Sequence, residues 1–162
     1  MKVKGIIFED FVNYKKPSMT IMMPKCDFKC DREYNDSICQ NSHLVSQESI
    51  DISPNELIDN YYVDNSIVES IVFQGLEPFD TFDDLYEFIS VFINKSSDDI
   101  VIYTGYYESE INDQINTLIN LIGNHNHLIV KFGRFIPDQE PHFDEVLGVK
   151  LASNNQYAKV IV

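Results

Sequence analysis

The stretch IVESIVFQGLEPFDTFDDLYEFISVFINKSSDDIVIY, residues 67–103, decides the fold. Residues 67–73, with Val68, Ile71 and Val72, form a short apolar run that reads as a buried strand. Gln74-Gly-Leu-Glu-Pro78 breaks the run with turn residues. Thr81 stands where a helix cap is expected, and Phe82, Leu85, Phe88, Ile89 and Phe92 recur at the spacing of one helical face. Ile100-Val-Ile-Tyr103 is a second apolar run. A strand, a helix of about a dozen residues and another strand make a β/α unit, which implies parallel strands joined by a right-handed crossover.

The same alternation extends outward. Upstream, residues 18–23 read as a short buried strand that ends at Pro24 and opens into a polar loop. Ser53-Pro-Asn-Glu56 carries an N-cap, a proline at the first helical position and a glutamate at the third. Leu57, Ile58 and Tyr61 continue it at helical spacing. Downstream, residues 108–122 form a helix whose apolar side is Ile111, Ile115, Leu118, Ile119 and Ile122. Residues 128–132 are a fourth strand, residues 148–162 add short strands, and residues 2–8 add an edge strand or hairpin arm. This is an α/β chain, long enough for roughly four to six β/α units and short of the ~250 residues of a full eight-fold barrel. Ligands of such folds sit at the carboxyl ends of the strands. The turns after the four strands, namely the polar loop from Cys26, residues 74–78, Thr104-Gly-Tyr106 and Gly133-Arg-Phe135, should therefore share one rim.

Composition limits the rest. The 162 residues carry a net charge of −14, so phosphate backbones and anionic membranes are repelled, and neither nucleic acid nor a membrane is expected as a partner. An apolar fraction of 44% excludes a disordered or collagenous chain. No apolar run approaches the ~20 residues of a membrane span. The start, MKVKGIIFEDF, lacks the long apolar core of a signal peptide. With no linker, repeat or low-complexity segment, the expectation is one cytoplasmic domain over residues 1–162.

The three cysteines, Cys26, Cys30 and Cys39, all fall in the polar loop, which is rich in Asp, Asn and Ser and reads as neither helix interior nor strand. An odd, clustered set in such a chain points to metal rather than disulfides. Thiolates suit zinc and iron–sulfur clusters alike. His43, after Cys39, would complete a Cys3His zinc set, whereas a [4Fe–4S] cluster on three cysteines would leave one iron for another ligand. Spacing leaves both open.

The motifs resemble those of radical S-adenosylmethionine activases, and specifically of the activating proteins of anaerobic ribonucleoside-triphosphate reductases. Cys26, Cys30 and Cys39 are similar to the family's CxxxCxxC, and Gln40-Asn41-Ser42 to the His-Asn-Pro after it. Phe73-Gln-Gly-Leu-Glu-Pro78 resembles Ser-Gly-Gly-Glu-Pro. Tyr103-Thr-Gly-Tyr106 resembles Thr-Gly-Tyr, Phe132-Gly-Arg-Phe135 resembles Asp-Gly-Arg-Phe, and residues 151–156 resemble the terminal Gly-Ser-x-Asn-Gln. There are two departures: eight residues separate Cys30 from Cys39 where the family has two, and Leu76 replaces a glycine that lets backbone approach the cofactor.

The resemblance implies a partial, incomplete β/α barrel of mostly parallel strands. It also implies a [4Fe–4S] cluster on Cys26, Cys30 and Cys39, with S-adenosyl-L-methionine on the open iron. The reduced cluster would cleave that cofactor to a 5′-deoxyadenosyl radical, which takes a hydrogen atom from a glycine of a glycyl-radical enzyme of the anaerobic ribonucleotide reductase type. A flavodoxin-like or ferredoxin-like protein would supply the electron. Ile38 would lie against the adenine, Gly75, Leu76 and Glu77 at the methionine amine, and Thr104 and Gly105 along the cofactor. Lys131 or Arg134 would pair with its carboxylate, while Phe28 and Tyr34 would shield the cluster. The departures motivate an alternative, a non-catalytic cluster-binding or electron-transfer protein on the same fold.

Overall fold

The computed structural model describes residues 1–162. Chain order runs β1 (Lys2–Val3), β2 (Gly5–Asp10), β3 (Ser18–Met23), α1 (Lys29–Tyr34), β4 (Ile50–Asp51), α2 (Pro54–Leu57), β5 (Ser70–Gly75), α3 (Phe82–Phe92), β6 (Asp99–Tyr103), α4 (Asn112–Ile122), β7 (Leu128–Phe132), β8 (His142–Asp144), β9 (Val149–Leu151) and β10 (Tyr157–Val160). Six strands form one sheet in the order β10-β7-β6-β5-β3-β2. The inner four, β3, β5, β6 and β7, are parallel, and the two edges are antiparallel. The architecture is thus mixed α/β with a mostly parallel central sheet. Its order has two free ends, so no barrel closes. Four parallel strands allow three crossovers, fewer than the four to six units that length alone suggested.

Alternation along the strands separates two faces. Met19, Ile21, Ile71, Phe73, Ile100, Ile102, Leu128, Val130 and Phe132 pack against Leu57, Leu85, Phe88, Phe92, Ile115 and Leu118 of the helices in the main core. Val72, Val101 and Ile129 face the other way, onto Tyr14, Leu147 and Leu151. Each strand of the parallel set is therefore buried on both sides, which explains its unbroken apolar runs.

Local chemistry set several boundaries differently from the sequence reading. Ser53 does cap α2, accepting from Glu56 N, but the helix continues as a π turn over Ile58–Tyr62. The extra residue turns Tyr62 inward (3% exposed) and leaves Tyr61 outside. Thr81 does not cap α3: its hydroxyl donates to Pro78 O within a 3-10 turn, Pro78–Thr81, that leads into the helix. The polar loop contains a helix after all, because α1 includes Cys30. No helix is long and apolar enough to cross a membrane.

Candidate metal centre

The carboxyl ends of β3, β5, β6 and β7 open onto one cavity of about 330 Å³. Cys26, Cys30, Cys39, Gly75, Leu76, Glu77, Thr104 and Gly105 line it, together with Lys131, Arg134 and Gln156. The four turns expected on one rim do meet there. Ile38 does not line the cavity, nor do Phe28, Tyr34 and Asn155. His43 is exposed in a 3-10 turn, Ser42–Ser46, away from the cavity wall that the three cysteines share. His127 bonds Asp99 at the start of β6, the opposite end of that strand.

The long gap between Cys30 and Cys39 is filled by an ordered excursion. Phe28 adopts left-handed backbone (φ 55°) and its N–H donates to Cys26 Sγ at 3.2 Å, turning the chain into α1. Asn35, also left-handed (φ 52°), ends that helix; asparagine tolerates the conformation well. Asp31 Oδ1 then accepts from the N–H groups of Ile38 (2.9 Å) and Cys39 (2.8 Å), which folds the returning chain back onto α1. Asn41 Nδ2 donates to Gly75 O at 2.8 Å, and Glu77 N to Lys25 O at 2.7 Å, tying both ends of the loop to the end of β5.

The thiols differ in their surroundings. Burial pushes Cys26 up to about 12, against the opposing Phe28 N–H, and the nearby Glu77 and Asp80 carboxyls add to it. The Cys39 sulfur beside Cys30 pushes the Cys30 thiol up and is itself held down, while the Cys30 thiol donates to Asp31 Oδ1 at 3.8 Å. Burial opposes the lowering of Cys39, and the Asn41 and Ser42 N–H groups favour it. Cys26 Sγ also gathers with the Asp27 and Asp80 carboxylates within 4.8 Å. Asp80 is already engaged, accepting from Asp27 N (2.6 Å) and Tyr106 OH (2.6 Å).

Glu77 is the buried acid of the site, 6% exposed. Its Oε1 accepts from Thr104 Oγ1 (2.7 Å) and Phe79 N (3.1 Å), and its Oε2 from Gly105 N (2.8 Å). It caps the 3-10 turn and brackets the ends of β5 and β6 together. Burial pushes its carboxyl up to about 7, against the bonds from Gly105, Thr104 and Phe79. Lys131 is likewise buried, and desolvation pulls its ammonium down to about 8. Its Nζ donates to Gly133 O at 2.8 Å. Arg134 is 4% exposed, pairs through Nη2 with Glu110 at 2.6 Å and stacks 4.8 Å over Tyr107.

Sequence reasoning named Lys131 and the turn from Gln74 but did not join them, through Tyr103, into the cavity floor. Met22 pairs with Gln74, and Tyr103 with Lys131, while Gln74 and Tyr103 each directly follow a paired residue of β5 and β6. Gln74, Tyr103 and Lys131 thus form one polar row across the carboxyl ends, and all three line the cavity. Strand alternation carried that signal, since each lies two residues beyond an apolar residue of the second face: Val72, Val101 and Ile129. Asp31 was also passed over, because nothing in its spacing announces its bonds to Ile38 and Cys39.

A thiol-walled cavity thus lies at the carboxyl ends of the mostly parallel sheet of an α/β protein. Residues 17–156 match the family model described as a 4Fe-4S single cluster domain. The chain belongs to that family and is an iron–sulfur protein. No curated protein and no solved structure matches it.

Proposed function

We propose that this chain is a radical S-adenosylmethionine activase of the kind that serves anaerobic ribonucleotide reductase. The observation that carries the reading is convergence: the three thiols and the turns at residues 74–78, 104–106 and 133–135 share one cavity. Cys26, Cys30 and Cys39 would hold three irons of a [4Fe–4S] cluster and leave the fourth for S-adenosylmethionine. When reduced, such a cluster supplies the electron that cleaves the sulfonium to methionine and a 5′-deoxyadenosyl radical. The protein's part is to hold and exclude. Glu77, Gly75 and Leu76 lie on the wall assigned to the methionine amine, and Lys131 offers a desolvated cation to its carboxylate. Thr104 and Gly105 are fixed by Glu77 along the same wall. Ile38 takes no direct part in this reading, being outside the cavity lining. The hydrogen donor would be a glycine of a glycyl-radical enzyme, and the electron would come from a flavodoxin-like or ferredoxin-like protein.

One observation favours a second reading. Leu76, 5% exposed, lines the cavity where the resembled motif has glycine. A side chain there would narrow the approach to a cluster held by the three cysteines and would suit a cluster protein that does not cleave S-adenosylmethionine. Anaerobic reconstitution with iron and sulfide, then dithionite and S-adenosylmethionine with chromatography for 5′-deoxyadenosine, separates the two. The activase reading expects product that Cys30→Ala abolishes. A stable cluster without product gives the second reading, and failure to take up iron overturns both.

A further inference from the structure

Helix α1 buries none of its residues, so apolar packing does not hold it. Its anchors are ionic. Glu33 Oε2 meets Arg134 Nε at 3.2 Å, and Lys29 Nζ meets Glu110 Oε1 at 2.9 Å. Arg134 Nη2 reaches the same Glu110 oxygen at 2.6 Å. Lys29 also sits 4.6 Å over the Tyr106 ring. Glu33, Arg134, Glu110 and Lys29 therefore close a chain of alternating charge. Its two ends belong to different parts of the sheet: α1 leaves from β3, while Arg134 follows β7, three strand spacings or about 14 Å away. The loop that carries the cysteines is thus drawn across the full width of the parallel strands. Arg134 is almost wholly buried; Glu110 holds its Nη2 and the Tyr107 ring lies against it, while Nε and Nη1 have no hydrogen-bond partner.

We propose that Arg134 is a positioning residue: with Glu110 it forms a fixed post to which Glu33 and Lys29 strap α1, holding Cys30 and Cys39 on the cavity wall. The strap sets access to these two thiols and leaves Cys26, which precedes α1, outside its reach. Glu33 lies between Cys30 and Cys39, in the part of the loop that exceeds the resembled CxxxCxxC spacing, so the long gap brings its own fastening. The consequence for cluster retention rests on reading the three cysteines as cluster ligands, but the strap itself does not.

The test uses the full chain. In iron-free, reduced protein, the alkylation rate of each cysteine by N-ethylmaleimide is followed by mass spectrometry at low and high sodium chloride. Glu33 has a half-exposed side chain, so Glu33→Gln and Glu33→Lys leave the fold intact. Both variants should speed alkylation of Cys30 and Cys39, by about threefold to fivefold in Glu33→Gln and further in Glu33→Lys, with Cys26 unchanged. High salt should speed the wild type toward the variants and have little further effect on Glu33→Gln. Glu33→Asp should restore part of the protection. Rates in Glu33→Lys equal to wild type, or a rise shared equally by all three cysteines, would overturn the proposal. In parallel, reconstituted wild type and Glu33→Lys are challenged with an iron chelator, and the variant should lose its visible absorption faster. If neither protein takes up iron, the cluster reading fails while alkylation still decides the strap.

Discussion

Replacing Glu77 by glutamine should alter how stability depends on pH. The carboxyl is buried and its pKa is raised from 4.5 to about 7, chiefly by burial. A raised acid binds an extra proton in the folded state across that window, so stability is greatest below the unfolded value and falls as pH climbs toward 7. The rise from 4.5 to about 7 is worth about 3 kcal/mol in all. The isoelectric point near 4.4 makes the acid end of the window impractical, and Lys131, midway through its own titration at about 8, limits the alkaline end. Between pH 5.5 and 7.5 the Glu77 contribution should still fall by about 2 kcal/mol. The assay is urea unfolding of iron-free protein followed by circular dichroism at fixed ionic strength, wild type against Glu77→Gln. The variant cannot titrate at this position, so its stability relative to wild type should rise by that amount over the range. The amide also sets an N–H against Gly105 N or Thr104 Oγ1, which lowers the whole variant curve without changing its slope. A difference between the two proteins that stays within about 0.5 kcal/mol, or that moves the other way, would refute the assignment of a buried, proton-retaining acid.

Gly75→Ala should cost about 2 kcal/mol or more in urea unfolding, because φ is +95° and a Cβ would lie 3.0 Å from Met22 Cβ and 3.1 Å from its Cα. A loss under about 0.5 kcal/mol would mean that the end of β5 can relax away from β3. Tyr14→Phe should lower stability by about 1–2 kcal/mol in thermal or chemical unfolding, since it removes a buried 2.9 Å bond to Asp99. Asp99 keeps Lys16 and His127, so a larger loss would point to a wider role for that cluster.

Much of the fold was legible because the parallel strands are buried on both faces and the helices on one. Runs such as residues 100–103 and 128–132 read as doubly buried strands, and the rule that ligands collect at the carboxyl ends places the four turns together from sequence alone. What the sequence concealed depended on chain geometry. The π turn after α2 swaps Tyr61 for Tyr62, and periodicity at 3.6 residues cannot anticipate an inserted residue. The helix inside the cysteine loop was hidden by composition, since Asp, Asn and Ser read as loop while here they terminate and brace a short helix. The burial of Lys131 and Arg134 follows from the register with β6 and from Glu110, neither visible in a linear reading.

The eight-residue gap looks at first like the feature least compatible with three thiols on one cluster, and the energetics say otherwise. Loop closure grows slowly with length: going from a two-residue to an eight-residue gap costs about 1 kcal/mol of chain entropy. The Asp31 carboxylate accepts two hydrogen bonds, from the Ile38 and Cys39 N–H groups, each worth about 1.5–3 kcal/mol before discounting for partial exposure. Even at half that value they offset the longer loop. They act at the residue that matters, because one of the two N–H groups is that of Cys39 itself. Leu76 is the opposite case: it plays no part in closing the loop yet stands on the cavity wall. The long loop therefore bears on who can reach the site, and Leu76 on what can be done in it.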